Sequence, residues 1–243
     1  MRCLTDRNRL PGITKFIVLP TPEIIYETDR ILAVCKPGGL LTQAPSGIDS
    51  MEVRIKRYLA EQTGNTGKVY LGVPHRLDRP ASGAMVFARD KKTARFLAEQ
   101  FQQRKVRKIY LAVVTGIVDP PHGTWNNWMR KVPDEARSEL CKQAMEGARS
   151  AVLHYQRAAS TDNRSLLSIR LETGRSHQIR LQAGSRGHPI LGDELYGSKA
   201  TYGPQTEDAR RRWIALHASE LEIIDPQSSK PLRLVASLPE YLS

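Results

Sequence analysis

The sequence predicts a globular protein that combines strands and helices. Its 243 residues are 40% hydrophobic, which is ample for a packed core. Short apolar runs and period-two alternation are typical of strands, and stretches where apolar residues recur every three or four positions are typical of helices. No uninterrupted apolar run approaches the ~20 residues that a transmembrane helix needs. The pattern therefore favours a strand-and-helix domain and gives no support to a membrane protein.

The chain is strongly basic, with 37 Lys and Arg against 25 Asp and Glu, a net charge of +12 and a pI near 9.8. This balance favours a polyanionic partner such as nucleic acid. Net charge alone does not separate RNA, DNA and an anionic membrane. No amphipathic stretch is both strongly basic and rich in aromatic residues, so a membrane surface is the weakest of the three.

The cysteines Cys3, Cys35 and Cys141 are odd in number and widely spaced, without a CxxC pair. They indicate neither a disulfide framework nor a zinc site, and we expect a reducing, cytoplasmic location. The arginine-rich start is interrupted by Asp6 and contains no apolar signal core. We interpret residues 1–22 as a basic N-terminal arm.

Four strands and two helices are predicted in order from periodicity. The strands cover 31–34, 84–88, 106–114 and 167–171. The first helix begins at Met51, with Asp49 or Ser50 as its cap, and the second covers 94–101, with Asp90 as its cap.

The third strand, VRKIYLAVV, carries a tyrosine in its middle. A period of two puts Ile109, Leu111 and Val113 on one face and the less apolar Lys108, Tyr110 and Ala112 on the other. We therefore expect Tyr110 to point away from the more apolar face.

The segment 119–149 is polar and contains three prolines, which predicts a long excursion from the domain rather than a linker between domains. Trp125 and Trp128 lie within it, close to Arg130. Aromatic residues among basic ones could stack on exposed bases, or the tryptophans could anchor the segment to the core. The residues leave both open.

The segment HRLDRPASG, residues 75–83, places the acid Asp78 between Arg76 and Arg79 just before a buried strand. Pro80 and Gly83 indicate a turn, so Asp78 is expected at the edge of a strand and facing open space. A carboxylate in that place is a candidate for chemistry. The alternative is that Asp78 pairs with its arginine neighbours in a solvated turn.

A second candidate segment, ETGRSHQIR, follows the fourth strand. It predicts a turn and then a helix capped by Thr173 or Ser176. His177 and Arg180 are three residues apart and share one side of that helix, next to Arg175. Such a group could hold a counter-charge for an acid. The alternative is that these residues cap the helix or pair with surface acids.

Taken together, these segments resemble the RluA-type family of RNA pseudouridine synthases. Five blocks carry the resemblance in family order: IIYETDRILAVCKPGGLLTQAP, HRLDRPASGAMVFARD, RKIYLAVVTG, LETGRSHQIRLQAGSRGHPILGDELYG and LHASELEIIDPQSSKPLRLVASLP. The resemblance implies an α+β pseudouridine synthase fold: a mixed, largely antiparallel central sheet with flanking helices and an RNA-binding cleft. Residues 23–243 would form one catalytic domain.

The implied activity is that of an isomerase, an intramolecular transferase that converts uridine in ribosomal or transfer RNA to pseudouridine, without cofactor or metal. By resemblance Asp78 is the catalytic aspartate, acting either as a nucleophile at the sugar or as a base that removes a sugar proton. Arg180 would keep it charged. Tyr110 would pack on the target base and assist the removal of the proton from C5. The protein is expected to act as a monomer.

The resemblance also implies contacts to RNA. The target uridine must be extruded from its stem, and Arg76 would fill the gap, because a guanidinium can stack on bases and bond to their edges. Further RNA or base contacts are expected from neighbours of the catalytic residues, namely His75, Leu77, Lys108, Arg175 and His177.

The sequence departs from the family pattern at two positions. Ala81 stands where a threonine is common, and Cys35 replaces a frequent asparagine. We expect activity to survive both changes. Only about 22 residues precede the first matched block, fewer than the small N-terminal S4 RNA-binding domain of many relatives needs. Target choice is therefore expected to rest on the catalytic domain.

Two other classes of function predict different residues. A catalytically silent RNA-binding or ribosome-assembly factor on the same scaffold would predict loss of Asp78, Tyr110 or Arg180, and all three are present. A metal-dependent nuclease would need clustered carboxylates or histidines. His177 and His188 have no acid pair beside them, so no metal site is recognisable.

Overall fold

The computed structural model describes residues 20–64, 69–161, 163–239 and 242; most of the predicted basic arm, residues 1–19 with Cys3, lies outside them. Within these ranges the strands are β1 (Glu23–Glu27), β2 (Ile31–Lys36), β3 (Ser82–Ala88), β4 (Arg107–Thr115), β5 (His122–Lys131), β6 (Ser138–Leu140), β7 (Arg149–Thr161), β8 (Arg164–Leu171), β9 (Leu216–Ile224) and β10 (Pro231–Val235). The helices are α1 (Met51–Thr63), α2 (Lys91–Gln102) and α3 (Gln178–Gly184), with 3₁₀ turns at Glu194–Tyr196 and Ala209–Arg211.

All of these strands join one 10-stranded sheet in the order β1-β2-β3-β9-β4-β8-β7-β5-β6, with β10 on β9. Neighbouring strands are antiparallel except for β3 and β9, which run parallel and meet only at Ser82–His217 and Gly83–Ala218. The fold is thus α+β with a mixed, largely antiparallel sheet, as expected. The four predicted strands are confirmed as β2, β3, β4 and β8.

Gly83 makes the close approach of β3 to β9 feasible. Its φ is +119°, and a Cβ at this position would lie 2.3–2.7 Å from backbone atoms of Ala218. Only glycine fits such a backbone at such a distance. The residue directly after the Asp78 turn is therefore fixed to the centre of the sheet.

Helices α1 and α2 cover opposite faces of β2 and β3. Leu32 and Val34 pack with α1, whereas Ile31 and Ala33 pack with Leu97 of α2, as the alternation of a strand requires. Both predicted caps are confirmed: Ser50 accepts a bond from the Val53 N–H at 3.3 Å, and Asp90 accepts one from the Thr93 N–H at 2.9 Å.

The predicted cap of α3 is wrong. Neither Thr173 nor Ser176 caps this helix; His177 occupies the cap position in a left-handed conformation, with φ of 54°. The hydroxyl of Thr173 is engaged elsewhere, because it accepts from the Val152 N–H at 2.8 Å and donates to Gln178 at 2.8 Å. The helix therefore starts later than the sequence predicts.

Segment 119–149 also differs from its prediction as an excursion. It forms the hairpin β5–β6, which extends the sheet beyond β7. The polar sequence reflects a hairpin at the edge of the sheet. Trp125 is 5% exposed and packs on Tyr155, with ring centroids 4.8 Å apart, so this tryptophan anchors the segment to the core.

Strand β4 buries the face that the sequence assigns to the less apolar residues. Ala112 and Val114 are fully buried, whereas Ile109 and Leu111 are only partly buried. The reason is that helix α3 and the core beneath it cover the side that carries Ala112, and Tyr110 lies between this core and the one beneath α1. Tyr110 thus lies on the face opposite Ile109 and Leu111, as predicted, but that face is the buried one and not an outward-facing one.

Candidate active site

The Asp78 loop is a tight turn directly before β3. The Ala81 N–H donates to the Asp78 carbonyl at 3.1 Å and closes the turn. Asp78 keeps 26% of its side chain exposed. The carboxylate therefore stands at the start of a buried strand and faces an open space, as predicted.

Lys36 binds the main chain of this turn. It is fully buried at the end of β2, and its ammonium donates to the carbonyl oxygens of Ala81 at 2.6 Å, Leu40 at 2.8 Å, Pro37 at 2.9 Å and Arg79 at 3.3 Å. Burial lowers the pKa of Lys36 to about 7, although the charge of Asp78 opposes this shift. Sequence reasoning did not assign Lys36 to the site and missed its contact with the turn.

The counter-charges of Asp78 come from the third helix and its cap. Arg180 Nη1 lies 3.5 Å from one carboxylate oxygen, and His177 Nε2 lies 3.9 Å from the other. Arg79 instead donates to the Gly39 carbonyl at 3.0 Å, and Arg76 is exposed. The alternative that Asp78 pairs with its arginine neighbours is wrong.

Asp193 holds Arg180 in place. The Nε and Nη2 groups of Arg180 donate to the two oxygens of Asp193 at 2.7 and 2.8 Å. Burial alone would lower the pKa of Arg180, but the carboxylates of Asp193 and Asp78 outweigh it and raise that pKa. Arg180 is thus a permanent cation beside Asp78. Sequence reasoning missed Asp193, since one acid in a polar loop carries no periodic or motif signal of its own.

His177 is held in a similar way by a distant strand. Its Nδ1 lies 3.0 Å from the Tyr196 hydroxyl, which in turn accepts a bond from the Ser138 N–H of β6 at 2.9 Å. Burial lowers the pKa of His177 despite the nearby charge of Asp78. The left-handed backbone at this position aims the imidazole at Asp78.

One cleft of about 450 Å³ brings together every site residue that the sequence predicts. Its lining includes Asp78, Tyr110 and Arg180, together with the predicted RNA contacts His75, Arg76, Leu77, Lys108, Arg175 and His177. It also includes Phe101, Arg104 and Glu172, which the sequence analysis did not assign to the site. The geometry thus joins the HRLD turn, strand β4 and helix α3 in one place.

Tyr110 and His75 are both uncharged in this cleft at neutral pH. Burial and the charge of Asp78 raise the pKa of Tyr110, so its phenol keeps its proton. Burial and the charge of Lys108 lower the pKa of His75 to about 3. The His75 Nε2 accepts from the Val86 N–H at 3.0 Å, and its ring stacks on Phe101 with centroids 4.4 Å apart.

Leu77 has a structural part as well as a place in the cleft lining. It is 7% exposed, and its N–H and carbonyl both bond to the Thr42 hydroxyl, at 3.2 and 3.1 Å.

Within the described ranges no group of three or more His, Cys, Asp or Glu side chains is placed to hold a metal ion. No described helix has the length and apolar character to cross a membrane.

Comparison with known proteins agrees with this geometry. The sequence model for RNA pseudouridylate synthase matches residues 30–185, which contain the Asp78 turn, Tyr110 and Arg180. The chain belongs to this family. A dual-specificity RNA pseudouridine synthase RluA from Vibrio vulnificus is 35% identical over 86% of this chain and 80% of its own length. Such relatives place the chain in the RluA-type branch.

A ribosomal large subunit pseudouridine synthase D from Xylella fastidiosa is 33% identical over 90% of this chain and 67% of its own length. The chain thus spans about two thirds of the length of such relatives, and 66% of the synthase D of Xanthomonas campestris. The solved structure of human RNA pseudouridylate synthase domain containing 4 matches with a TM-score of 0.74 at 24% identity, over 90% of both chains. This likeness confirms the family's fold.

Proposed function

We propose that this protein isomerises uridine in RNA to pseudouridine. In this reaction the bond from C1′ of the ribose to N1 of the base breaks and a bond from C1′ to C5 forms. C5 loses its proton, and N1 gains one. Membership of the family supports the reaction class. The observation that carries the proposal is the Asp78 carboxylate, partly exposed in a basic cleft and set 3.5 Å from a buried arginine.

Asp78 is the group that acts on the sugar. An ionised carboxylate can attack C1′ as a nucleophile or take a proton from C2′ as a base. Both routes use the carboxylate form of the acid, and the guanidinium of Arg180 lies 3.5 Å from it as a counter-charge. His177 is the second group facing the carboxylate, and burial favours its neutral form.

Tyr110 is proposed to pack on the base. It lines the cleft with Asp78, and its raised pKa keeps the phenol protonated. A protonated phenol can donate a hydrogen bond to a base oxygen but does not act as a phenolate base. Proton removal at C5 is thus assigned to another group or to water.

The nucleotide reaches Asp78 only when it is turned out of its stem, since the carboxylate lies within the cleft. Arg76 stands two residues before Asp78 and is exposed at the cleft, which suits a side chain that replaces the extruded base. His75, Leu77, Lys108, Arg175 and His177 are proposed as the remaining RNA contacts.

Ribosomal or transfer RNA is the proposed substrate, because one relative is named for the ribosomal large subunit and another for tRNA. Residues 23–243 are proposed as one catalytic domain, acting as a monomer in the cytoplasm without cofactor or metal. The net charge of +12 supports a polyanionic partner.

The proposal is tested by mapping pseudouridines in total RNA from cells with and without the gene. Carbodiimide modification and primer extension reveal each site. The deletion strain is complemented with the wild type or with Asp78→Asn, which removes one acidic oxygen with little change in shape. We expect a site that disappears on deletion and returns only with the wild type.

Absence of any lost site in ribosomal and transfer RNA would overturn the proposal and favour a silent RNA-binding factor. Restoration by Asp78→Asn would remove Asp78 from the mechanism. The variant's RNA affinity, measured alongside, should stay near that of the wild type, because Asp78 contributes a negative charge rather than a phosphate contact.

A further inference from the structure

A second group of charged side chains lines the same cleft and has no assigned role in the reaction. Arg104 follows α2, Lys108 lies on β4, and Arg175 lies in the loop before α3. Among the described residues none of the three forms an ion pair with a carboxylate. Three segments thus bring together three cations that lack a protein counter-ion.

The three charges are close enough to act on one another. Burial and then the charge of Arg104 lower the pKa of Lys108, and burial followed by Arg104 and Arg149 lowers that of Arg175. Folding therefore holds like charges together at an energetic cost. A bound anion would relieve this repulsion, which is typical of a site built for a negatively charged ligand.

Lys108 lies against the loop that carries Arg175. A Cβ at Gly174 would lie 3.0 Å from the Lys108 ammonium, so glycine leaves room for this side chain. Lys108 is two residues from Tyr110 on the same face of β4, about 7 Å along the strand. A ligand whose base lies on Tyr110 therefore has its backbone within reach of Lys108.

Arg104 occupies a backbone position that does not favour an arginine. Its φ of 58° is left-handed, and it lies just beyond the end of α2, where glycine or asparagine is usual. This conformation ends the helix: the Arg104 N–H donates to the Phe101 carbonyl at 3.2 Å, and the Lys105 N–H donates to the Gln100 carbonyl at 2.9 Å. The side chain is exposed and forms no ion pair within the described residues. The end of α2 thus places the Arg104 side chain at the lining of the cleft.

Besides Asp78, the acid Glu172 also lines the cleft. It is mostly exposed and pairs with His154 of β7, with His154 Nε2 3.1 Å from a Glu172 oxygen. Its carboxylate thus has a partner outside the group of three. Arg175 is fixed by a bond from its Nε to the Ser150 carbonyl at 2.9 Å, which leaves the two terminal nitrogens for a ligand.

We propose that Arg104, Lys108 and Arg175 form a binding subsite for a backbone phosphate of RNA, next to the uridine that reaches Asp78. The inference deepens the proposed function and rests on it for the identity of the ligand. Guanidinium groups bind phosphate oxygens through two parallel hydrogen bonds, and an ammonium adds a point charge. The subsite fixes the RNA backbone and carries no base specificity.

The test compares Arg104→Gln with Lys105→Gln. Lys105 is the neighbouring residue, equally exposed, but it does not line the cleft, so both variants lose one charge in the same region. Affinity for a fluorescein-labelled 20-nucleotide oligouridylate is measured by anisotropy at several salt concentrations. Turnover is measured by release of tritium from bulk RNA labelled at C5 of uridine.

We expect Arg104→Gln to reduce the slope of log affinity against log salt by about 0.7 to 0.9, the value of one phosphate contact. Its KM should rise several-fold while kcat stays within about twofold, since binding rather than chemistry is lost. Lys105→Gln should change neither quantity. Arg104→Gly should weaken binding equally but raise Tm, which separates the effect from misfolding.

A salt slope for Arg104→Gln equal to that of the wild type would overturn the subsite. So would equal losses in the Arg104 and Lys105 variants, which would indicate a general effect of charge. Failure of the wild type to release tritium would instead overturn the proposed function, and the oligouridylate titration would still judge the subsite.

Discussion

Arg180 is bonded more closely to Asp193 than to Asp78. Its two contacts to Asp193 are 2.7 and 2.8 Å, whereas its nearest approach to Asp78 is 3.5 Å. Asp193, which is buried, therefore sets the position of the guanidinium. Asp78, which is partly exposed, interacts with the same cation at a longer distance. This arrangement leaves Asp78 free to approach a substrate while its counter-charge stays fixed.

Asp193→Asn should reduce kcat by about a hundredfold with a much smaller change in KM, because a displaced Arg180 misplaces the charge beside Asp78. The substitution also leaves a buried cation with one acid fewer, at a cost of about 3 kcal/mol in the free energy of unfolding. Tritium release and urea unfolding measure the two effects. Asp49→Asn, which removes a similar pair with Arg54 on α1, is the control. An unchanged kcat would show that Arg180 does not depend on Asp193.

Lys36→Met should destabilise the protein by about 3 kcal/mol, since it leaves a set of buried carbonyl oxygens without a donor. Turnover should fall as well, because the Asp78 turn loses its attachment to β2. Urea unfolding checks the first effect. Lys56→Met, at a surface pair with Glu52, should cost far less. Equal losses in the two variants would contradict the role of Lys36.

The lowered pKa of His75 predicts that the free energy of unfolding decreases in acid. Its pKa falls to about 3 in the folded state from an ordinary value of 6.5, so the unfolded chain binds the proton more readily between these values. Stability should therefore decrease as the pH falls below about 6.5, by about 3 kcal/mol at pH 4.5 when other groups are held equal. The physical event is protonation of Nε2, which breaks its bond from the Val86 N–H.

The acid effect is measured as the free energy of urea unfolding between pH 4.5 and 7.5. His75→Gln retains an acceptor for the Val86 N–H but does not titrate, so its profile should be flatter than that of the wild type. His122→Gln, at an exposed residue of β5, provides the matched control and should follow the wild type. Parallel profiles of unfolding free energy against pH for all three proteins would contradict the prediction.

Gly83→Ala should separate a steric clash from backbone strain alone. The new Cβ would lie 2.3 Å from the Ala218 carbonyl oxygen, whereas a Cβ at Gly64, with φ of +63°, would meet nothing within 4 Å. Gly64→Ala should cost about 1 kcal/mol and Gly83→Ala at least about 3 kcal/mol, by thermal or urea unfolding. Similar costs would mean that β3 and β9 can move apart without loss.

Local patterns were sufficient to predict much of the fold and all of the cleft's central residues. Strands β2 and β3 are continuous apolar runs, and the caps Ser50 and Asp90 act through bonds to residues three positions away. Motif blocks of the family located Asp78, Tyr110 and Arg180. Each of these signals lies within a short stretch of sequence.

The features that sequence reasoning missed depend on contacts between distant segments. Asp193 acts on Arg180 thirteen positions away, and Lys36 binds the carbonyl of Ala81 forty-five positions away. Nothing near either residue marks it as buried. The buried face of β4 was also misassigned, because α3 rather than the composition of the strand decides which side is covered.

The ammonium of Lys36 binds the Asp78 turn through main-chain oxygens, and every amino acid supplies such an oxygen. The identity of the residues in the turn is therefore of little consequence to this attachment. Ala81, where relatives commonly have threonine, contributes its carbonyl at 2.6 Å from Lys36 and needs no hydroxyl to do so. We expect position 81 to tolerate exchange among small residues, and position 36 to accept no other side chain.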